Sequence, residues 1–331
     1  MDSLKKEVFN IKNASDFEQV SLKLFYYQAI HNPVYKKYLQ ELNIDHREIK
    51  SSIQIPFLPI EFFRTFKVIT GDAPVQKIFL SSGTTGDVQS KHYITDISIY
   101  QQSFRGVFNL FYGPIEDYCI LALLPSYEEQ GSSSLVFMVN DLIKGTRQKG
   151  SGFYLQNKTE LIKKLKELDS DSYRDKKVIL LGLTYALLDL ISENKIVLKN
   201  AIVIETGGMK GRGREMVREE LHHCLSEGFG VDVIHSEYGM TELLSQAYSN
   251  GKGFFLTPPW MKILIRDAND PLSIIDLEKT GGINVIDLAN INSCAFIATQ
   301  DLGKTHADGS FEVLGRFDNS SIRGCNLMSY I

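Results

Sequence analysis

The sequence predicts an α/β fold in which a mostly parallel sheet is covered by helices and followed by a β-rich subdomain. Nearly continuous apolar runs of strand length alternate with stretches of helical spacing, as expected for parallel strands buried on both faces. The apolar runs are residues 117–125, 177–183, 200–205 and 231–235, and the helical stretches are residues 158–168, 185–192 and 213–226. After about residue 250 the helical stretches stop, and short strand-like segments separated by Gly, Asn and Asp follow.

The elements divide the 331 residues into three parts of one predicted compact domain. Residues 1–75 are predicted to be a helical lead-in, in which Asn32-Pro33 interrupts the apolar residues of helical spacing. Within it, residues 55–63 contain two prolines and are predicted to be an extended connector. Residues 76–250 are the predicted α/β core, and residues 251–331 are the predicted β-rich subdomain. The strands predicted in this subdomain are residues 254–256, 261–266, 283–287, 294–299 and 311–314.

The composition is typical of a soluble globular protein, with 43% hydrophobic and 23% charged residues. A formal net charge of −4 argues against a nucleic-acid partner, although a local basic patch around Lys210, Arg212 and Arg214 stays open. No stretch approaches the roughly 20 apolar residues of a membrane span, and the first residues lack the apolar region of a signal peptide. Four scattered cysteines without a Cys-x-x-Cys pair are typical of a reducing cytoplasm.

The run Ser81-Ser82-Gly83-Thr84-Thr85-Gly86 has the composition of a phosphate-binding loop. It places four hydroxyls and two glycines directly after the short apolar segment 78–80. Glycine permits the backbone angles and the close approach that let N–H groups surround a phosphate, and the hydroxyls add further donors. A plain turn can have the same composition, and no Lys-Ser or Lys-Thr follows the second glycine as it does in a P-loop. By itself the run leaves both interpretations open.

Two further turns are predicted to follow buried strands. The strand at 200–205 runs into Thr206-Gly207-Gly208-Met209-Lys210-Gly211, and the strand at 231–235 runs into residues 236–242. Ligands of open parallel sheets lie outside the carboxyl ends of the strands, where glycines let a flat ring approach the backbone. In the second turn Thr241 can donate to a phosphate oxygen, and the Glu242 carboxylate suits Mg²⁺, a hard cation that prefers oxygen ligands. A tight strand-to-helix turn explains the glycine run equally well.

Asp301 and the run Gly315-Arg316-Phe317-Asp318 have the chemistry of a sugar site. An ionised Asp only accepts hydrogen bonds and suits a pair of sugar hydroxyls. Arg316 presents a planar fork that can hold ribose or phosphate oxygens. Two hairpin turns with surface charges explain the same residues, so both interpretations stay open.

Cys325 differs from the other cysteines because it lies in a polar stretch near the end of the sequence. The preceding Arg323 provides a cation that can lower the pKa of its thiol, whereas Cys119 and Cys294 lie in apolar runs where a cysteine is usually a small buried hydrophobe. Taken alone, a cysteine in such a position is more often incidental than nucleophilic. The run His222-His223-Cys224 has metal-binding residue types, but adjacent residues of a helix point in different directions and cannot share one ion.

In order and spacing, these runs resemble the nucleotide-binding motifs of the acyl-adenylate-forming superfamily. Within it the chain is most similar to the acyl-protein synthetases of the bacterial bioluminescence fatty-acid reductase complex. The details that indicate this subgroup are the run at residues 55–60 before the hydroxyl loop, the run Gly207-Gly208-Met209-Lys210-Gly211-Arg212, and an end soon after Ile322-Arg323-Gly324-Cys325. The resemblance extends from about residue 55 to the end of the sequence.

The resemblance implies the large N-terminal-type domain of adenylate-forming enzymes without their mobile C-terminal domain. It also implies a ligase that uses ATP and Mg²⁺ to activate a carboxylic acid, in this family a fatty acid, to acyl-AMP. The acyl group would then pass to Cys325 and on to a reductase subunit or another acceptor. The residues implied for the β/γ-phosphates are Ser81, Ser82, Gly83, Thr84, Thr85 and Gly86, and those implied for the adenine are Gly207, Gly208 and Tyr238. Thr241, with its neighbours Gly239 and Met240, is implied for the α-phosphate side. Glu242 is implied for Mg²⁺, and Asp301 and Arg316 are implied for the ribose.

Departures from the superfamily pattern leave alternatives open. Residues 87–90 stand where most members have Pro-Lys, and the mobile domain with its catalytic lysine is not expected. Lys210, Arg212 and Lys91 are therefore the candidate cations at the transferring phosphoryl group, unless another subunit supplies the charge. One alternative is a stand-alone acyl- or aryl-adenylating ligase that delivers to coenzyme A or a carrier protein; the other is a non-catalytic nucleotide-binding partner subunit. Residues 128–134 suit an acyl pocket or a helix cap equally well.

Overall fold

The computed structural model describes residues 2–82, 88–168, 177–194, 196–208 and 216–317. The chain divides into two compact units, and one of them is built from both ends of the sequence. We call Met1–Ala73 together with Pro259–Ile331 the terminal unit, and Pro74–Pro258 the central unit. The boundaries of the predicted lead-in, core and β-rich subdomain stay a prediction.

The helices and strands of the described residues follow in chain order. The α-helices are α1 (Asp2–Val8), α2 (Ala14–His31), α3 (Pro33–Glu41), α4 (Phe62–Thr65), α5 (Ile97–Tyr112), α6 (Tyr127–Gln130), α7 (Ser134–Gly145), α8 (Lys158–Leu168), α9 (Thr184–Glu193) and α10 (Arg218–Phe229). The strands are β1 (Leu58–Pro59), β2 (Lys77–Leu80), β3 (Lys91–Ile94), β4 (Tyr118–Leu123), β5 (Gly152–Phe153), β6 (Lys177–Leu183), β7 (Ala201–Thr206), β8 (Ile234–Tyr238), β9 (Ala247–Ser249), β10 (Met261–Arg266), β11 (Gly281–Asp287), β12 (Phe296–Thr305) and β13 (Phe311–Arg316).

The central unit contains a six-stranded sheet in the order β5-β4-β6-β7-β8-β9. The strands from β5 to β8 run parallel, and β9 is antiparallel to β8 at the edge. Every residue of β4 is buried, and so is every residue of β6 after the first, as expected for parallel strands covered on both faces. A separate hairpin of β2 and β3 pairs Leu80 with Lys91, on either side of the predicted phosphate loop.

Side-chain caps and glycine fix the ends of several helices in the central unit. The Asp96 carboxylate accepts a hydrogen bond from the backbone N–H of Ser98 and begins α5. The Ser133 hydroxyl does the same for α7, which confirms the helix-cap interpretation of the serine run before it. At the other end of a helix, Gly230 follows α10 in the left-handed conformation, with φ of 64°, and its N–H donates to the carbonyl of Ser226.

The terminal unit joins the first three helices to an antiparallel sheet formed near the other end of the chain. Its strands β10, β11, β12 and β13 are antiparallel, and β1 pairs with β12 in parallel. The Phe296 ring lies 6.0 Å from that of Phe25 and 6.2 Å from that of Tyr35, centroid to centroid. Pro59 has no N–H for a ladder, and β1 is accordingly a two-residue strand at the end of the sheet order.

One buried amide connects helix α2 with the loop before β12. The Gln28 Nε2 atom donates to the carbonyls of Asn290, at 2.8 Å, and Ile291, at 3.1 Å. The Gln28 Oε1 atom accepts from the N–H of Ala295 at 3.0 Å. The Gln28 side chain therefore makes hydrogen bonds with three backbone groups of this loop.

The structure confirms the predicted α/β class and corrects two of the predicted elements. The four apolar runs form β4, β6, β7 and β8. The segment at 254–256 is not a strand: Leu256 makes a single bridge with Tyr248, and Pro258 and Pro259 lack the N–H groups that would extend a ladder. The helix predicted at 213–226 is α10, which runs from Arg218 to Phe229.

Across the part of the chain that the structure describes, no helix combines the length and apolar character that crossing a membrane requires.

Candidate functional site

Two ligand-type turns leave the central sheet at the same edge. Strands β7 and β8 are parallel neighbours, with Glu205 in register with Ser236. The glycines Gly207 and Gly208 follow β7 with φ of 76° and 59°, in the left-handed region that favours glycine. The run Tyr238-Gly239-Met240-Thr241-Glu242 begins with the last residue of β8. The turn at Gly207-Gly208, predicted to bind the adenine, is therefore adjacent to the turn at residues 238–242, predicted to bind the α-phosphate and Mg²⁺.

A hydrogen bond connects the bases of these two turns. The Thr206 hydroxyl, directly before Gly207, donates to Oε2 of Glu237, directly before Tyr238. Both side chains are buried. A Cβ on Gly239 would lie only 2.5 Å from Oε1 of Glu237, so a residue with a side chain cannot replace this glycine without moving the carboxyl group.

The second carboxyl group at this edge, that of Glu205, has several partners. It accepts from the Thr184 hydroxyl at 2.8 Å and from Nη1 of Arg218 at 3.3 Å, and Nε2 of His222 lies 3.7 Å away. The Ser236 hydroxyl lies 3.2 Å from both Arg218 Nη1 and His222 Nε2. Burial by itself raises the pKa of Glu205, but the adjacent His222 imidazole and the charge of Arg218 outweigh it and lower the pKa below the ordinary value. Glu205 is therefore ionised at neutral pH.

Glu237 is the opposite case. Burial and, to a smaller extent, the negative charge of Glu205 together raise its pKa to about 7, although the hydrogen bond from Thr206 opposes this. Neighbouring carboxyl groups whose pKa values are pushed apart differ in charge, so that only one of them is fully ionised near neutral pH.

His92 connects the β2–β3 hairpin, which carries the predicted phosphate loop, with the turn at residues 238–242. It is fully buried on β3, and its Nδ1 atom lies 2.8 Å from the carbonyl oxygen of Thr241. A carbonyl only accepts, so Nδ1 carries the proton in this contact. Burial lowers the pKa of His92 to about 4, although the bond to Thr241 opposes this, and the ring is neutral at physiological pH. Since β3 pairs with β2, which ends at Leu80, this bond relates Thr241 to the base of the loop.

The base of the predicted phosphate loop is closed by Ser81. Its hydroxyl accepts from the N–H of Ser90 at 2.9 Å, and its own N–H donates to the carbonyl of Ser90 at 3.1 Å. Ser82 is exposed. The other predicted loop residues, Gly83, Thr84, Thr85 and Gly86, lie outside the described residues.

In the terminal unit the structure brings together the two residues predicted to hold a ribose. Asp301 of β12 is in register with Arg316 of β13, and Arg316 Nε donates to Asp301 Oδ1 at 3.1 Å. The Asp301 side chain is buried, whereas that of Arg316 is 76% exposed. The guanidinium of Arg266 lies 5.3 Å from the centroid of the Phe317 ring, beside this pair in sequence. The pair is positioned by a hairpin, and its ribose role stays a prediction.

The remaining predicted residues are distributed as follows. Tyr238 and Glu242 are buried, and the Tyr238 ring packs edge-on against Phe255 at 5.9 Å. Lys91 is described and exposed. The predicted cations Lys210 and Arg212 and the predicted nucleophile Cys325 lie outside the described residues.

The two histidines on α10 face different partners. His222 contacts Ser236 and Glu205, whereas Nε2 of His223 lies 3.5 Å from a carboxylate oxygen of Glu227. Among the residues that the structure places, no group of three His, Cys, Asp or Glu side chains could hold a metal ion.

Sequence reasoning missed three side chains that organise this edge. Thr206 and Glu237 each stand directly before a predicted ligand turn, and this equivalent position on adjacent strands is the signal that could have paired them. His92 gives no such signal, because its contact with Thr241 joins residues 149 positions apart.

The chain matches the family model described as acyl-protein synthetase, LuxE, over residues 10–329. No curated protein sequence matches the chain. Its fold is similar to that of ATP-bound MatB from Rhodopseudomonas palustris, with a TM-score of 0.53 and 16% identity over 74% of this chain and 49% of MatB. The chain thus spans about half the length of that relative.

The fold is also similar to that of 2-hydroxyisobutyryl-CoA ligase. The open conformation of that ligase in complex with 2-HIB-AMP and CoA gives a TM-score of 0.67 and 11% identity, over 93% of this chain and 72% of the ligase. Its thioesterification state gives a TM-score of 0.66 and 14% identity, over 93% and 70%. At such identities the likeness establishes the α/β fold alone, whereas the family match spans nearly the whole sequence. The chain belongs to the LuxE acyl-protein synthetase family.

Proposed function

We propose that this chain activates a carboxylic acid, by preference a fatty acid, with ATP and passes the acyl group to its own Cys325. The observation that supports this most directly is the family match over residues 10–329, which includes every predicted motif in order. The shared edge of β7 and β8 supports it independently, because adjacent turns at the carboxyl ends of parallel strands form the usual ligand crevice of such sheets.

In this proposal the nucleotide phosphates lie between two hydroxyl-bearing segments. The loop at residues 81–86 surrounds the β- and γ-phosphates with N–H groups and hydroxyls. Thr241 donates to the α-phosphate, and His92 holds the backbone of Thr241 from the side of the loop hairpin. Gly239 and Met240 lie beside Thr241 on the α-phosphate side. The absence of a Cβ at Gly239 leaves room for the Glu237 carboxyl group.

The adenosine part of the nucleotide uses the remaining predicted residues. Gly207 and Gly208 allow the flat adenine ring to approach the backbone after β7, and Tyr238 borders the same edge. Asp301 accepts from the ribose hydroxyls, and Arg316 donates to ribose oxygens while it stays bonded to Asp301.

Mg²⁺ fits the donor set of this edge. Glu242 provides a buried carboxylate at the end of the turn, and Mg²⁺ sites commonly combine one or two carboxylates with substrate phosphates and water. Bound there, Mg²⁺ neutralises charge on the phosphate oxygens. Glu242 and the nucleotide phosphates would hold it.

The first step is adenylation. A carboxylate oxygen of the acid attacks the α-phosphorus of ATP, a P–O bond forms, and the bond to pyrophosphate breaks to give acyl-AMP and pyrophosphate. Charge on the phosphoryl oxygens increases in this step, so preorganised cations lower its barrier. Lys210, Arg212 and Lys91 are the proposed cations.

The second step moves the acyl group onto the protein. The Cys325 thiolate attacks the acyl carbonyl of the mixed anhydride, AMP leaves, and a thioester forms. A thiolate is the strongest common protein nucleophile for such a donor. The acyl group then passes to an acceptor, which we propose is a reductase subunit. We place both proteins in the cytoplasm, a reducing compartment that suits the reduced thiols of Cys119, Cys224 and Cys294.

The test incubates the protein with Mg·ATP and a panel of radiolabelled fatty and aromatic acids. We expect label that stays on the denatured polypeptide and is released by hydroxylamine. Cys325→Ser should abolish this label while pyrophosphate release persists, and Cys224→Ser on α10 is the matched control that should keep both signals.

The other outcomes separate the alternatives. Pyrophosphate release without bound label would indicate a ligase that delivers to coenzyme A or a carrier protein. ATP binding without pyrophosphate release, for every acid in the panel, would indicate a non-catalytic nucleotide-binding subunit and would contradict the proposal.

A further inference from the structure

The two nucleotide turns are joined by the side chains of Thr206 and Glu237. We propose that this pair is a positioning device, which fixes the adenine turn at Gly207-Gly208 relative to Tyr238 and the turn it begins, and thereby sets the affinity for the nucleotide. The inference rests on the proposed function, because it assigns the ligand of these turns as ATP. Neither residue contacts the reacting atoms in this proposal; both act through the turns that follow them.

The pairing follows from strand geometry. Glu205 is in register with Ser236, so the next residues on the two strands, Thr206 and Glu237, are also side by side and project to the opposite face. The first pair contacts Arg218 of α10, whose Nη1 atom lies 3.3 Å from the Glu205 carboxylate and 3.2 Å from the Ser236 hydroxyl. The second pair is joined by its own hydrogen bond, from the Thr206 hydroxyl to the Glu237 carboxyl.

The groups near Glu237 determine how its carboxyl group responds to pH. Glu237 is in register with Tyr248 on β9, and burial, with a smaller contribution from the charge of Glu237, raises the pKa of both Tyr248 and Tyr112 of α5. Among the described residues, the ionisable groups near Glu237 include these two tyrosines, Glu205 on β7 and His235 on its own strand, which contacts Tyr112 at 3.2 Å. None of them is a cation at neutral pH, since burial lowers the pKa of His235. A charge on Glu237 has no cationic counterpart among them.

Protonation therefore affects the device. The neutral carboxyl accepts the Thr206 bond without adding charge beside Glu205. Ionisation places a second negative charge at the edge where a polyanionic nucleotide would bind, which disfavours that binding. Because the pKa of Glu237 lies near 7, the affinity for ATP should decrease as the pH rises through this value.

The first experiment removes the hydroxyl donor. Thr206→Val keeps the shape of the side chain, Thr206→Ser keeps the donor, and Thr146→Val removes a half-buried hydroxyl elsewhere in the central unit. In acid-dependent ATP–pyrophosphate exchange we expect Thr206→Val to raise the KM for ATP about ten-fold with a smaller effect on kcat, as expected for a lost buried hydrogen bond. Thr206→Ser and Thr146→Val should stay close to the unchanged protein.

Hydrogen–deuterium exchange without any ligand provides a readout that does not depend on turnover. Thr206→Val should increase exchange in peptides that contain residues 207–208 and 238–242, whereas Thr146→Val should not. If both the exchange and the KM are unchanged in Thr206→Val, or if Thr206→Ser is as impaired as Thr206→Val, the positioning role is wrong.

The second experiment removes the ionisable group. Glu237→Gln keeps an acceptor oxygen and cannot ionise, so its KM for ATP should be flat between pH 6 and pH 8, while that of the unchanged protein rises. This variant also keeps the proposal testable if Thr206→Val does not fold. A profile that rises equally in both proteins would overturn the role of Glu237.

The two proposals fail in different ways. If no acid supports pyrophosphate exchange in the unchanged protein, the proposed function fails. The ligand-free exchange of Thr206→Val, compared with that of Thr146→Val, still decides whether the pair positions the turns.

Discussion

At the scale of single residues, one imidazole connects a loop hairpin with a turn that the chain reaches about 150 residues later. The Nδ1–H group of His92 donates to the carbonyl of Thr241, and burial keeps the ring neutral. A neutral imidazole in a fixed tautomer is a directional donor rather than a charge. His92 therefore acts on the geometry of Thr241 and not on the electrostatics of the phosphates.

We expect His92→Asn to be tolerated and His92→Leu to be impaired. The Asn amide can donate to the same carbonyl, whereas Leu leaves that buried carbonyl without this donor, at a cost of about 1–3 kcal/mol. In ATP–pyrophosphate exchange, kcat/KM for ATP should fall roughly ten-fold or more in His92→Leu. Equal values for the two variants would show that the hydrogen bond is not what matters at this position.

Glu237 also gives the folding stability a distinctive dependence on pH. Its pKa is raised from 4.5 to about 7 in the folded protein, so the folded state binds more protons than the unfolded state between these values. The associated stability is fully present below about pH 4.5 and is lost as the pH rises through 7. The loss is at most about 3 kcal/mol. Glu205 has the opposite sign: its lowered pKa stabilises the fold above pH 4.5, and this is lost as the pH falls.

Urea unfolding at several pH values between 5 and 8 measures this effect. The free energy of unfolding should decrease with pH in the unchanged protein and decrease much less in Glu237→Gln. Parallel curves for the two proteins would mean that Glu237 does not titrate in this range.

The sequence predicts which residues would bind the nucleotide, but it does not predict which other side chains hold those residues in place. Thr241 and Glu242 could be assigned from their chemistry and their place after a strand. The partners Thr206, Glu237 and His92 could not, because their roles depend on which strands are neighbours and on the face to which each side chain points. Such pairings appear only once the strand order is known.

At the scale of elements, two helices of the central unit meet at a glycine. Gly228 of α10 lies so close to Ile191 of α9 that a Cβ would come within 2.6 Å of its Cδ1 atom and 2.8 Å of its Cβ. Such distances leave no room for a methyl group. The contact therefore fixes how closely α10 can approach α9.

Gly228→Ala should lower the free energy of unfolding by about 1–3 kcal/mol, because overpacking forces the helices apart. This is the reverse of the roughly 1 kcal/mol that Ala usually contributes over Gly within a helix. Urea unfolding of Gly228→Ala in the Ile191→Ala background provides the control. There the methyl group has space, and the substitution should be neutral or stabilising; an equal loss in both backgrounds would contradict the steric explanation.

The elements differ in how far the sequence predicts them. Strands β4, β6 and β7 could be predicted closely, because strands buried on both faces need continuous apolar residues. The strands β1, β5 and β9 have two or three residues each. Such short segments show no periodicity, and their pairing depends on the neighbouring strand, so the sequence alone does not predict them.

At the scale of the whole molecule, residues from both ends of the sequence form one unit. Gln28 illustrates how they are joined, since its amide bonds to Asn290, Ile291 and Ala295. These are buried backbone groups of the segment between β11 and β12. A buried polar side chain thus substitutes for secondary structure.

We expect Gln28→Leu to lower the free energy of unfolding by about 2–4 kcal/mol, because it leaves buried backbone groups unsatisfied. Gln19→Leu, at an exposed position of the same helix, is the matched control and should change stability by less than about 0.5 kcal/mol. Guanidinium or urea unfolding measures both variants. A loss of similar size in the two would attribute the effect to the loss of a glutamine from α2 rather than to its bonds.

The division of the terminal unit between the two ends of the sequence has a consequence for synthesis on the ribosome. The partners of Gln28 in helix α2 are translated 262 to 267 residues later, which at about 5–20 residues per second is a delay of roughly 15–50 s. The strands of the central sheet all lie within Pro74–Pro258 and can pair during that interval. Until then the N-terminal helices lack Phe296, against which Phe25 and Tyr35 pack in the folded unit, so these apolar side chains are exposed to chaperones during synthesis.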